Sequence, residues 1–186
     1  MTTAALVLAG GGGLRFGGLL PKVLAPFRGR PLVLWQVEAA LAAALDETVV
    51  VDGAADLTAT VPPGVTLLHN RAWAEGQATS LLLGVAWCRE QGHGAVVVGL
   101  GDQPLTSAEA WAAVAKAPPF PLVVATYRGR RGHPVRISAE MWPLLPPAGD
   151  EGARRLFAAR PNLVWEVPCP GNPADVDTSE DLANWE

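Results

Sequence analysis

The first apolar run of the chain, Ala4 to Leu8, leads straight into Ala9-Gly10-Gly11-Gly12-Gly13-Leu14-Arg15-Phe16-Gly17-Gly18, with Pro21-Lys22 close behind. A short, continuous apolar run reads as a buried parallel strand. Glycines remove side chains where the chain must turn, and they let backbone N–H groups approach an anion closely. Arg15 and Lys22 put two positive charges in the same loop. Open α/β sheets bind ligands at the carboxyl ends of their strands. The segment therefore reads as a polyphosphate cradle. The competing reading, a flexible Gly-rich turn, has no use for charges at fixed places.

Neither common nucleotide loop fits. Gly12 to Gly17 has the Walker glycine spacing, but Gly18-Leu19 stand where Lys-Ser/Thr is required. The dinucleotide fingerprint needs a third glycine where Arg15 stands, and Asp52 lies about twice as far along as its ribose-binding acid. The pattern that fits is Leu-Ala-Gly-Gly-x-x-x-Arg-x-Gly-x-x-x-Pro-Lys, from Leu8 to Lys22. It resembles the opening signature of the MobA-like nucleotidyltransferases, which attach a nucleotide to the phosphate of molybdopterin. Sugar-nucleotide and other pyrophosphorylases share this loop, so later motifs must narrow the reading.

At 186 residues the chain suits one domain, long enough to bury a core unaided. A net charge of −4 with scattered arginines argues against nucleic acid as the main partner. No apolar run reaches bilayer length, and the start is not a basic signal peptide. Cys88 and Cys169 have no metal spacing and read as reduced packing residues of a cytoplasmic protein. Of the seven tryptophans, Trp35, Trp87 and Trp111 fall in helical patterns and read as core. Trp73 and Trp142 lie near motifs, where packing competes with stacking on a pterin.

Short Val-rich runs alternate with Ala/Leu-rich helical stretches. Strands are predicted at 4–8, 47–51, 65–68, 95–100 and 122–126, with a later pair at 134–137 and 163–167. Helices are predicted at 32–45, 78–91, 107–116, 151–159 and 179–185. Pro31 suits a first helical position, Thr106-x-x-Glu109 reads as a capping box, and Asp150 and Thr178 read as caps. Such alternation implies a doubly wound, mostly parallel sheet with helices on both faces. The resemblance implies the same Rossmann-like nucleotidyltransferase fold over the whole chain.

Val96 to Pro104 is the second informative stretch: a buried strand ends at Gly101-Asp102-Gln103-Pro104. An Asp at such an edge suits Mg²⁺, which takes one or two carboxylates plus phosphate oxygens. The alternative is an Asp in a turn. Asp175-Val176-Asp177-Thr178-Ser179-Glu180-Asp181 gives Asp177 as a second metal ligand, or else an acidic start to the last helix. Glu180 and Asp181 take the second reading. Gly76, Thr79 and Ser80 open a helix whose N-terminus suits phosphate or ribose, although plain capping also explains the hydroxyls. Arg130 to Pro134 reads as a basic loop ahead of a strand. Only Lys22 and Lys116 are lysines. Lys22 suits a point charge on phosphate, and Lys116 a cation at a helix end. His69 and His93 read as structural.

The resemblance runs from Leu8 to Asp181, and it implies roles. Leu8, Ala9, Gly10, Gly11, Gly12, Arg15, Lys22, Gly76, Thr79 and Ser80 would bind a nucleoside triphosphate. Arg15, Lys22 and Asp102 would carry catalysis, and Asp102 with Asp177 would hold Mg²⁺. Arg131, His133, Asp150 and Arg154 would bind a molybdopterin-type acceptor, and a molybdoenzyme would be a partner. In this family Leu-Ala-Gly-Gly tends to accompany GTP. Gly-Asp-Gln-Pro, Gly-His-Pro and Asp-Glu-Gly-Ala-Arg look cytidine-type, so CTP is favoured over GTP. The alternatives are an oxidoreductase of the nicotine blue type using NAD(P)H, a non-catalytic molybdenum-cofactor carrier, and another small-molecule cytidylyltransferase.

Overall fold

The computed structural model describes residues 2–13, 16, 20–178, 180 and 181. In chain order the elements are β1 (Thr3–Leu8), a two-strand ribbon of β2 (Pro26–Phe27) and β3 (Arg30–Pro31), α1 (Leu32–Ala42), β4 (Glu47–Asp52), β5 (Thr66–His69), α2 (Gln77–Glu90), β6 (Ala95–Leu100), α3 (Ala108–Lys116), β7 (Leu122–Tyr127), β8 (Arg130–Ser138), α4 (Arg154–Ala159) and β9 (Val164–Pro168). The large sheet runs in the order β5-β4-β1-β6-β8-β7-β9. All its neighbours pair in parallel except where β8 lies antiparallel to β6 and β7. This is the expected doubly wound, mostly parallel sheet.

Successive side chains of a strand point to opposite faces. Ala4, Leu6 and Leu8 accordingly join one core with Leu81, Val85 and Trp142, while Ala5, Val7 and Ala9 join another with Val37, Trp111 and Val114. The first core lies under α2 and the second under α1 and α3. β1 is buried on both faces, which explains its continuous apolar run. The chain leaves β1 toward β4 on one side and later reaches β6 on the other. The direction of winding thus reverses between β1 and β6, the place where open α/β sheets bind ligands in a crevice at the carboxyl ends of the strands.

Several local expectations need correction. α1 ends at Ala42 rather than at 45, because Ala44 turns to a φ of +52°. Ser107, not Thr106, caps α3: its Oγ accepts the Ala110 N–H at 3.3 Å. Thr106 is buried and bridges to Gly171 instead. Asp150 caps nothing, since α4 starts only at Arg154. The basic loop 130–134 is strand, part of β8. Arg128 and Gly129 both adopt positive φ, the two-residue turn that suits a hairpin, so pairing begins at Arg130. Of the predicted 179–185 helix, 179 and 182–185 lie outside the described residues. Among the described residues no helix is long and apolar enough to cross a membrane.

Arg136 is a buried charge in β8 that the apolar pattern concealed. Its guanidinium donates to the carbonyls of Ala115 at 2.8 Å and Ala117 at 2.9 Å, and also to Pro118. It thus neutralises the open carbonyls at the end of α3. Burial pushes its pKa down from the ordinary value. Arg136→Leu strands those carbonyls, and it is expected to destabilise the fold by about 2–4 kcal/mol in urea denaturation.

Candidate active site at the switch point

The loop after β1 is held from both sides. Ala9 N–H donates to Val51 O at 2.8 Å, Ala54 N–H to Gly10 O at 3.1 Å, and Gly101 N–H to Leu8 O at 2.9 Å. The fit is close. A Cβ on Gly10 would lie 2.9 Å from Ser80 Oγ and 3.2 Å from Asp52 O. The Trp73 ring occupies the space where a Gly12 side chain would go. Gly13 has φ +58°, and a Cβ there would stand 2.6 Å from Lys22 Cβ. Lys22 opens a 3-10 turn, Lys22–Leu24, anchored by buried Val23. Loop and turn together aim Lys22 across the crevice. Arg15 lies outside the described residues.

Lys22 Nζ reaches Asp102 Oδ2 at 2.7 Å and Asp177 Oδ1 at 3.1 Å. The lysine side chain is 11% exposed, against 25% for Asp102 and 43% for Asp177. Burial alone would lower the lysine pKa, but Asp102 and then Asp177 outweigh it and raise it. The ammonium stays protonated across neutral pH. Asp102 sits just past β6, in the turn where Gln103 N–H meets Leu100 O.

The closing segment is pinned beside Asp102. Val176 N–H donates to Asp102 O at 2.9 Å, and the Val176 side chain is buried with Phe16, Ala25, Phe27 and Leu32. Thr178 and Asp181 bond reciprocally: Asp181 N–H donates to Thr178 Oγ1, and Thr178 N–H to Asp181 Oδ2. A buried polar chain reinforces this arrangement. Trp111 Nε1–H donates to Gln36 Oε1 at 3.1 Å, Gln36 Nε2 to Gln103 O, and Gln103 Nε2 to Asp175 Oδ1 at 2.7 Å. Burial raises the Asp175 pKa, and the charge of Asp102 raises it further. Sequence reasoning missed Asp175, Gln36 and Gln103. The Asp-x-Asp spacing was the available signal, because alternate residues of an extended segment share a side.

The 76–80 segment forms a second cluster. Asn70 Nδ2 donates to Thr79 Oγ1 at 2.9 Å and Ser80 Oγ at 2.8 Å, and Thr79 Oγ1 donates to Gly76 O at 2.8 Å. Both hydroxyls therefore brace this corner. Gly149 O accepts the Ala78 N–H at 2.9 Å, which brings the 149–154 segment onto the start of α2. Asp150 and Arg154 are exposed there. Arg131 Nε donates to Glu166 Oε1 at 2.8 Å, an exposed pair that reaches from β8 across β7 to β9. Trp142 is buried in the core, so it packs rather than stacks on a ligand; Trp73 is half-buried over the glycine loop.

Burial pushes the His133 pKa down from 6.5 to about 4, against the opposing charge of Asp102. Its imidazole is neutral at pH 7, and its carbonyl accepts the Tyr127 hydroxyl at 2.7 Å. Between pH 6.5 and about 4 the unfolded chain binds a proton at His133 that the folded chain refuses. Unfolding is therefore favoured as pH falls through that window. Urea midpoints from pH 7 to pH 4 should fall more steeply in the wild type than in His133→Asn. Equal slopes would contradict this assignment.

Two carboxylates that already gather a cation are hard oxygen donors, and they suit Mg²⁺ or Mn²⁺ completed by phosphate oxygens. Among the described residues no group of three His, Cys, Asp or Glu forms a self-sufficient metal cage. The chain is 33% identical to nicotine blue oxidoreductase of Paenarthrobacter nicotinovorans, over 95% of this chain and 93% of that one. The crystal structure of Rv0371c from Mycobacterium tuberculosis H37Rv superposes with a TM-score of 0.88 at 26% identity, covering 100% of this chain and 97% of that one. A manganese complex of Rv0371c superposes with a TM-score of 0.83 at 24% identity, covering 100% and 98%. Residues 5–163, which carry both the glycine loop and Asp102, match the MobA-like NTP transferase domain, and the chain belongs to that family.

Proposed function

We propose that this chain moves a nucleoside monophosphate from a nucleoside triphosphate to the phosphate of a molybdopterin-type acceptor and releases pyrophosphate. The observation that carries the reading is the Lys22–Asp102–Asp177 constellation beside a glycine loop at the switch point. An acceptor phosphate oxygen attacks the α-phosphorus, and the bond to the pyrophosphate oxygen breaks. The attacking group is already ionised, so no protein nucleophile is needed. The protein's part is positioning and charge neutralisation. Arg15 and Lys22 meet the triphosphate and the departing pyrophosphate. Asp102 and Asp177 would hold Mg²⁺, which when bound neutralises charge on the phosphate oxygens. The manganese complex of Rv0371c supports a divalent cation in this fold.

Gly10, Gly11 and Gly12 lie along the nucleotide. Gly76, Thr79 and Ser80 shape its floor through Asn70 and Gly10. His133, Arg131, Asp150 and Arg154 receive the acceptor, His133 as a neutral imidazole. CTP is the favoured donor and GTP the alternative. The guanine-type glycine at position 10 has a packing cause here, since a methyl group would press on Ser80 and Asp52. It therefore carries little weight against the three cytidine-type motifs.

One observation favours a second reading: the 33% identity to nicotine blue oxidoreductase over nearly the whole chain. On that reading a reduced nicotinamide occupies the same crevice. Transfer from α-³²P-labelled CTP or GTP to molybdopterin separates the two. The proposal expects label in the acceptor, and a drop of about 10²–10³-fold in Lys22→Ala and Asp102→Ala that remain folded by circular dichroism. Unchanged turnover in both variants, or NADPH oxidation with no transfer, would contradict it.

A further inference from the structure

Two consecutive residues of the Asp102 turn fasten two consecutive residues of the closing segment. Asp102 O accepts the Val176 N–H at 2.9 Å, and Gln103 Nε2 donates to Asp175 Oδ1 at 2.7 Å. The first bond joins backbone to backbone. The second depends on one side-chain amide, and that amide is only half satisfied. Gln103 is 4% exposed, and its Oε1 is buried with no hydrogen-bond partner among the described residues. Burying an unpaired acceptor lowers stability. A methionine of similar length would fill the same space without that cost. The glutamine is nevertheless held from behind. Gln36 Nε2 donates to the Gln103 carbonyl, and the Thr106 N–H donates to it at 3.2 Å. Trp111 Nε1–H fixes Gln36 in turn at 3.1 Å, and β6 makes room for the Trp111 ring at Gly99, where a Cβ would run into it.

We infer that Gln103 is a positioning residue: its amide holds Asp175, sets the closing segment against the Asp102 turn, and so sets the spacing of Asp102 and Asp177. This rests on the nucleotidyl-transfer reading and deepens it, because those two carboxylates are the ones proposed to hold the divalent cation. Asp175 is the handle by which the amide grips the segment. It lies within electrostatic reach of Asp102 and Asp177, whose like charges push it away. The Gln103 N–H holds it against that repulsion. A glutamine kept only for structure would add stability. This one loses stability at its oxygen and contributes placement at its nitrogen, so substitution can separate the two effects.

Two measurements test this without turnover: urea denaturation, and Mn²⁺ binding in the presence of CTP or GTP followed by electron paramagnetic resonance. Gln103→Met removes the orphaned oxygen together with the donor, while Asp175 keeps access to water. Its urea midpoint is expected to equal or exceed that of wild type. Its Mn²⁺ affinity is expected to fall about tenfold, the scale for losing a group that orients metal ligands. Asp175→Ala is expected to weaken binding equally, and the double variant no further, because the two residues act through one bond. Asp175→Asn can still accept from Gln103 and is expected to retain most of the wild-type affinity. A urea midpoint of Gln103→Met well below wild type, wild-type Mn²⁺ affinity in that variant, or additive losses in the double variant overturns the positioning role. Wild type that binds no Mn²⁺ with either nucleotide overturns the transfer reading itself.

Discussion

One ammonium between two carboxylates joins parts of this chain that are far apart in sequence. Lys22 comes from the loop after β1, Asp102 from the end of β6, and Asp177 from the closing segment. The contact exists only because β1 and β6 are neighbours in register, with Leu8 opposite Leu100. It also requires Val176 to be buried under β2 and the start of α1. A half-buried lysine is tolerable only with paired charge. The charge cluster therefore constrains the fold around it as much as the fold positions the cluster.

The supports behind the cluster are rigid and polar. Gln36, Gln103 and Trp111 are all buried, and they link the helical layer to Asp175 by hydrogen bonds. Asn70 does similar work on the other side of the crevice, tying Thr79 and Ser80 to the chain that leaves β5. In a low-dielectric interior each such bond is strong, and it fixes its partners to within a hydrogen-bond length. The charged groups of the cluster thus project from held backbone, while Asp150 and Arg154 are exposed.

Much of this was legible in the sequence. The unbroken Val/Ala runs announced buried strands, and the glycine loop with Lys22 announced the crevice. Asp102 was legible because it follows an apolar strand by two residues. Three things were not. Arg136 sits between Val135 and Ile137, and nothing local reveals that it faces the carbonyls ending α3. The Arg128-Gly129 hairpin turn was hidden by basic residues that looked like loop. Gln103 and Asp175 meet across 72 residues, a pairing that only the tertiary fold creates. Local periodicity reports what a segment buries, not which distant partner receives it.

The central claim is that this crevice binds a triphosphate together with a divalent cation. The most direct measurement is the thermal stabilisation of the intact protein by CTP, GTP, ATP and NADPH, each with and without Mg²⁺. A ligand of the native state raises its melting temperature by mass action. The account predicts a shift with CTP or GTP that depends on Mg²⁺. A shift with NADPH alone, or no shift with any of the four, would contradict it.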